Sequence, residues 1–170
     1  GTDAQNLTKD IDNSVSNFHW KDNKHVYFQQ SVRGLAQVDV VSLSGRVKAV
    51  ANGLGGTTLG RPYVFGTYHA VDDVVAYTKG RTDRPADLYV TTRNERQLTA
   101  LNEDVLGHKQ LGEVKEIVYP SSIDGEEIQG WYILPPNYDS SKTYPLILEI
   151  HGGPNLAYGP VSYTHLRAHE

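Results

Sequence analysis

Between residues 18 and 100 the chain alternates short apolar runs with polar turns, at a period that suits strands rather than helices. Phe18 and Trp20 lead through the turn Lys21–Lys24 into Val26-Tyr27-Phe28-Gln29, a β-branched and aromatic strand. Ser31–Gly34 is a turn, Ala36–Leu43 a second strand, and Ser44-Gly45 another turn dipeptide. Arg46–Ala51 then alternates charged and apolar positions as a half-buried strand does. Gly1–Ser16, by contrast, is polar and predicts a loop or frayed strand.

After a glycine-rich loop, Asn52–Gly60, the pattern returns. Val74–Thr78 corresponds to Val26–Gln30, Ala86–Thr92 to Ala36–Leu43, and Arg96–Ala100 to Arg46–Val50. The offset is 48 residues at the first pair and 50 at the other two. A repeat of about 40–50 residues with four short strands is the mark of a β-propeller blade. A generic antiparallel meander is the plainer alternative. Blades bury their faces against neighbours, so two of them predict a longer ring.

The character changes after the loose stretch Glu103–Gln110. Glu113–Tyr119 and Glu127–Leu134 read as a hairpin around Asp124-Gly125, stopped by Pro135-Pro136. A polar loop, Pro135–Thr143, follows. Leu146–Ile150 is almost wholly apolar, the pattern of an inner strand of a parallel sheet buried on both faces. It opens into His151, Gly152, Gly153 and Pro154. Ligands of open α/β sheets gather at such carboxyl ends, and His-Gly-Gly loops supply oxyanion donors in lipases and esterases.

The fold expectation is therefore mostly β: the last blades of a propeller followed by the N-terminal strands of an α/β-hydrolase domain. Residues 1–110 would be about two blades and residues 111–160 the start of the hydrolase domain, with the boundary near Leu106–Gly112. Residues 161–170 (VSYTHLRAHE) have no hydrophobic period and match one reading frame of a sequencing-library adapter, so they are expected not to be native. The chain opens on Gly1 and has no methionine, which reads as an internal fragment whose N-terminus is missing.

Composition narrows the chemistry. A net charge of −4 without a block of like charges argues against a nucleic-acid partner. No apolar run approaches the roughly 18 residues of a membrane span. The expectation is a soluble protein, of bacterial cytoplasm or of periplasm and beyond; compartment and oligomeric state stay open. With no cysteine there is no thiolate nucleophile and no disulfide. His19, His25, His69 and His108 are scattered without ligand spacing, and His165 and His169 imitate a metal pair without a third ligand. Neither a metal nor a cofactor is expected. The stretch Gly53–Gly60 lacks the Gly-Lys-Ser/Thr ending of a phosphate loop and reads as a connection between blades.

No G-x-S-x-G elbow occurs in the 170 residues, and Ser44 sits in a turn without the flanking pattern. The nucleophile and the rest of a triad are absent. His151 has no nucleophile or orienting acid in the right order, so it reads as a geometric residue of the loop rather than a base. Gly153 is the candidate oxyanion donor through its backbone N–H, with His151 and Gly152 as scaffold.

With these residues in hand, the chain resembles the prolyl oligopeptidase family of serine peptidases, nearest its acylaminoacyl-peptidase and dipeptidyl-aminopeptidase-like branch. The resemblance covers Phe18–Pro160 and rests on Arg84–Val90 (RPADLYV), Leu98–Glu103 (LTALNE), Gly130–Pro136 (GWYILPP), Tyr144-Pro145 and His151–Pro154 in that order. It implies a propeller covering an α/β-hydrolase domain, a Ser-Asp-His triad between them, and peptide substrates cleaved through an acyl-enzyme. It also implies the oxyanion role of Gly153. Related branches place a Tyr hydroxyl where this chain has His151, so here the hole would be built from backbone donors. The triad has no counterpart in these residues, and the chain alone is expected to be inactive. The rival readings are a non-catalytic propeller protein with a degenerate hydrolase domain that serves binding, and an α/β-hydrolase esterase.

Overall fold

A computed structural model describes residues 3–56, 63–153 and 156–160. The expectations for Thr57–Gly60, Pro154, His165, His169 and the tail lie outside the described residues. The rest is strand-rich, with one helical turn.

The first four strands form an antiparallel meander: β1 (Ser16–Asp22), β2 (His25–Val32), β3 (Leu35–Ser42) and β4 (Val47–Leu54). β2 and β3 pair without a break from His25↔Ser42 to Val32↔Leu35. The two residues that join them, Arg33 and Gly34, have φ of +48° and +71°. Positive φ at both central positions matches the right-handed twist of the flanking strands, which is why the shortest hairpins need it.

A second meander follows the same plan: β5 (Tyr68–Val71), β6 (Val74–Lys79), β7 (Asp87–Thr91) and β8 (Glu95–Gln97). The two are linked by one pair, Leu54↔Lys79. Three details differ from the sequence expectation. β5 was hidden because its four residues turn Tyr68 and Ala70 inward and His69 and Val71 outward, too few positions to establish a period. β8 ends at Gln97 rather than Ala100, because Gln97 and Thr99 turn their side chains onto the buried carboxylate of Asp87. The stretch read as loose loop contains one helical turn, α1 (Glu103–Leu106), whose Glu103 pairs with Arg84 at 2.9 Å.

The core lies between the meanders. Tyr27, Ala36, Val38, Ala51 and Leu54 from the first meet Tyr68, Val75, Tyr77 and Tyr89 from the second, with Val64 between. Alternation produces this: Tyr27 pairs with Val40 and Tyr77 with Tyr89, so like faces line up across each ladder. Each fully buried side chain of this size contributes about 1.5–3 kcal/mol. The seam is also tied by polar groups. The Tyr27 hydroxyl donates to the Asp72 carbonyl at 2.8 Å, and the Tyr68 hydroxyl donates back to the Asn17 carbonyl. Burial raises the Tyr68 hydroxyl above its ordinary pKa, which keeps it a neutral donor. Lys21 and Asp73 add an ion pair across the same seam.

The hairpin expected after residue 112 is present as β9 (Val114–Pro120) and β10 (Glu127–Ile133), paired in continuous register. The inner strand expected at Leu146–Ile150 is not formed. Residues 143–150 carry no strand pairing, and Leu146, Ile147, Leu148 and Ile150 are 77–89% exposed. A strand buried on both faces needs ladder partners on its edges and cover on both faces. Among the described residues nothing supplies them: the hairpin satisfies itself, and the meanders are complete.

Candidate functional site

The corner that carries the candidate chemistry is held from two sides. Upstream, the loop after β10 is braced by Asp139, whose carboxylate accepts from the Ser141 N–H at 3.0 Å and the Ser141 hydroxyl at 2.7 Å. Those hydrogen bonds, the Ser141 hydroxyl's first, pull the Asp139 pKa below the ordinary carboxylate range. Tyr144 packs on Tyr138 with ring centres 5.3 Å apart, and its hydroxyl accepts from the Asp139 N–H at 3.0 Å. The apolar run then leaves this brace and crosses open solvent to His151.

His151, Gly152 and Gly153 are all exposed. The His151 Nδ1 lies 2.9 Å from the Gly152 carbonyl oxygen. A carbonyl only accepts, so Nδ1 is the donor in this contact. The imidazole is thereby folded onto its own loop. A Cβ placed on Gly152 would meet no atom within 4 Å. The backbone here is accessible, as an anion-receiving corner requires, and no nucleophilic side chain is brought to it among the described residues.

Downstream, Tyr158 returns the chain to the folded body. Its ring packs 5.3 Å from His151 and 5.1 Å from Tyr63. Its carbonyl accepts the Trp131 indole N–H at 3.1 Å, and it bridges Tyr63 in antiparallel fashion. The Val64 N–H donates to the Ala157 carbonyl at 3.3 Å. Close approach demands glycine at two points. A Cβ on Gly34 would stand 3.1 Å from Trp131 Cζ2, and one on Gly159 only 2.3 Å from the Gly34 carbonyl oxygen. The hairpin, the Arg33-Gly34 turn and the chain after the corner therefore meet at one place.

A polar knot fixes the same junction. Arg33 Nη2 donates to Glu116 Oε1 at 2.9 Å, and Gln129 Nε2 donates to that oxygen at 2.8 Å and to the Arg33 carbonyl at 3.1 Å. Arg33, then Gln129, hold the Glu116 carboxyl below the usual glutamate pKa. Sequence reasoning missed Arg33, Tyr63, Glu116, Gln129 and Tyr158. Trp131 did stand out, inside the Gly-Trp-Tyr run, but nothing in a linear pattern says that its indole will meet a carbonyl 27 residues later. Among the described residues no three metal-ligating side chains come together, and no helix is long and apolar enough to cross a membrane.

No family model matches the chain. It is 30% identical over 150 residues to an uncharacterized peptidase, YuxL, of Bacillus subtilis, covering 85% of this chain and 21% of that protein. It is 26% identical over 150 residues to dipeptidyl-peptidase 5 of Porphyromonas gingivalis, covering 85% and 20%. Among solved structures, an acylaminoacyl peptidase in complex with Z-Gly-Gly-Phe-chloromethyl ketone superposes with a TM-score of 0.70 at 25% identity, covering 95% of this chain and 25% of that one. The acylaminoacyl peptidase of Pyrococcus horikoshii gives 0.59 at 29% identity, covering 76% and 19%. The chain thus spans about a fifth of the length of the curated relatives it matches. The proteins it resembles in sequence and in fold are peptidases. The chain belongs to the prolyl oligopeptidase family.

Proposed function

We propose that this chain is the junction between propeller and hydrolase domain of a serine peptidase that cleaves short peptides through an acyl-enzyme. The two meanders, residues 16–97, are read as successive propeller blades. The hairpin is read as the start of the hydrolase domain, and Leu146–Ile150, unpaired here, as the segment that leads to its corner. The observation that carries the reading is the likeness to an acylaminoacyl peptidase over 95% of the chain, at a TM-score of 0.70. A likeness over 95% of the chain extends past the meanders into the residues that follow them.

In this reading Gly153 donates its N–H to the oxygen that turns negative as the tetrahedral intermediate forms. His151 and Gly152 shape the loop, and the nucleophile, acid and base come from residues outside these 170. The chain alone is then inactive, while the complete enzyme accepts peptides and needs no cofactor. One oxyanion donor is worth about 2.7–4 kcal/mol of barrier. In the complete peptidase Gly153→Ala, whose methyl crowds the approaching carbonyl, should lower kcat by about 10²–10³ and leave KM nearly unchanged. Steady-state kinetics on a chromogenic peptide decides it: wild-type kcat in the variant would refute the donor role.

A further inference from the structure

His19 and His69 are 50 residues apart in sequence and side by side in the fold. His19 lies on β1 and His69 on β5, the first strands of the two meanders, which touch across the seam. Their ring centres are 6.0 Å apart with planes inclined at 67°. The ring of Tyr68 packs edge-on against His19 at 5.1 Å, and Tyr68 is itself pinned by its hydrogen bond to Asn17. His69 is exposed and His19 partly so. Neither imidazole hydrogen-bonds to another of the described residues.

These distances suit a shared ion. A metal about 2.0–2.1 Å from one nitrogen of each ring lies roughly 3.2 Å from each ring centre, which sets the centres about 5.2–6.4 Å apart for angles from tetrahedral to linear. The observed 6.0 Å falls within that span. We propose that His19 and His69 form a two-histidine site for a divalent transition-metal ion, bridging the seam between the meanders with water in the remaining positions. Imidazole selects copper, zinc and nickel over magnesium and calcium, which want oxygen, and copper binds tightest of the series. The cation nearest in sequence on the same side of β1 is Lys21, and its charge is offset by Asp73. Ligation takes the unprotonated nitrogen of each ring, so protons compete with the metal.

The test titrates Cu²⁺ into the full 170-residue chain carrying His165→Ala and His169→Ala, which removes the other histidine pair from the measurement. One equivalent should bind, with nitrogen couplings in the electron paramagnetic resonance spectrum, and Zn²⁺ should raise the thermal midpoint. His69→Asn should weaken binding at least about tenfold, a loss that even outer-sphere partners of a metal cause. His19→Asn should do the same, while His25→Asn and His108→Asn should not. Because His69 is exposed, its variant keeps the test valid should His19→Asn lose structure. Binding that vanishes with the His165 and His169 substitutions alone, or that ignores His19 and His69, would overturn the site.

Discussion

The two meanders and the stretch from Leu146 to Ile150 have similar apolar density and opposite fates. Phe28 and Val38 are buried to within 1%. Ile147, no less apolar, is 88% exposed. The difference is partnership. Every strand of the meanders finds its ladder neighbour within a few residues of chain, through two-residue turns such as Arg33-Gly34 and Asp72-Asp73. An inner strand of a parallel sheet pairs only with strands reached by long crossovers, and among the described residues no strand lies beside Leu146–Ile150. Apolar sequence specifies a wish to be buried; topology decides whether the chain can grant it.

The sharpest way to break that comparison is a pair of truncations. Phe28→Ala should cost about 3–5 kcal/mol, the usual price of a cavity left by a buried aromatic ring. Ile147→Ala should stay within about 0.5 kcal/mol, as exposed positions do. Urea unfolding followed by circular dichroism measures both. Equal losses would mean that the run at Leu146 is packed after all.

A smaller effect is expected at the junction between the two regions. Gly34→Ala places a methyl at a φ of +71° and 3.1 Å from Trp131 Cζ2. The left-handed backbone alone costs an L-residue about 1–2 kcal/mol. Trp131 fluorescence should shift to the red as the indole loses its seat, whereas Gly125→Ala, with nothing within 4 Å, should leave that emission unchanged.

The smallest effect is electrostatic. Glu116 is held below its ordinary pKa by Arg33 and Gln129, so its contribution is fully present above the unfolded value. It is lost as pH falls through the depressed, folded value, on the acid side of the normal glutamate range near about 4.3. Amide exchange at Arg33 and Gly34 should quicken over that acid window in the wild type, and the window should disappear in Glu116→Gln. A transition that survives the substitution would assign it to another carboxylate.

The candidate site divides along the same line. His151, Gly152 and Gly153 could be singled out from sequence because a loop motif is local: three consecutive residues after an apolar run. The anchors of that loop were not. Tyr158, Trp131 and Gly34 are neighbours only because a hairpin, a turn and a returning segment converge. The pairing of His19 with His69 was invisible for the same reason, since no ligand spacing spans a repeat. Where the reading treated four histidines as scattered, the fold brought two of them within one ion's reach.

By itself the sequence determined the strand-rich character, the repeat, the hairpin near residues 114–133 and the family. Each depends on contacts between residues close along the chain, or on period-two alternation that any single strand displays. The tertiary structure alone decided which tyrosines tie the seam, that Arg33 and Glu116 lock the junction, and that Leu146–Ile150 lies unpaired. Those outcomes rest on non-local partners, and a pattern of apolar positions states what a segment needs without saying whether a partner will be there.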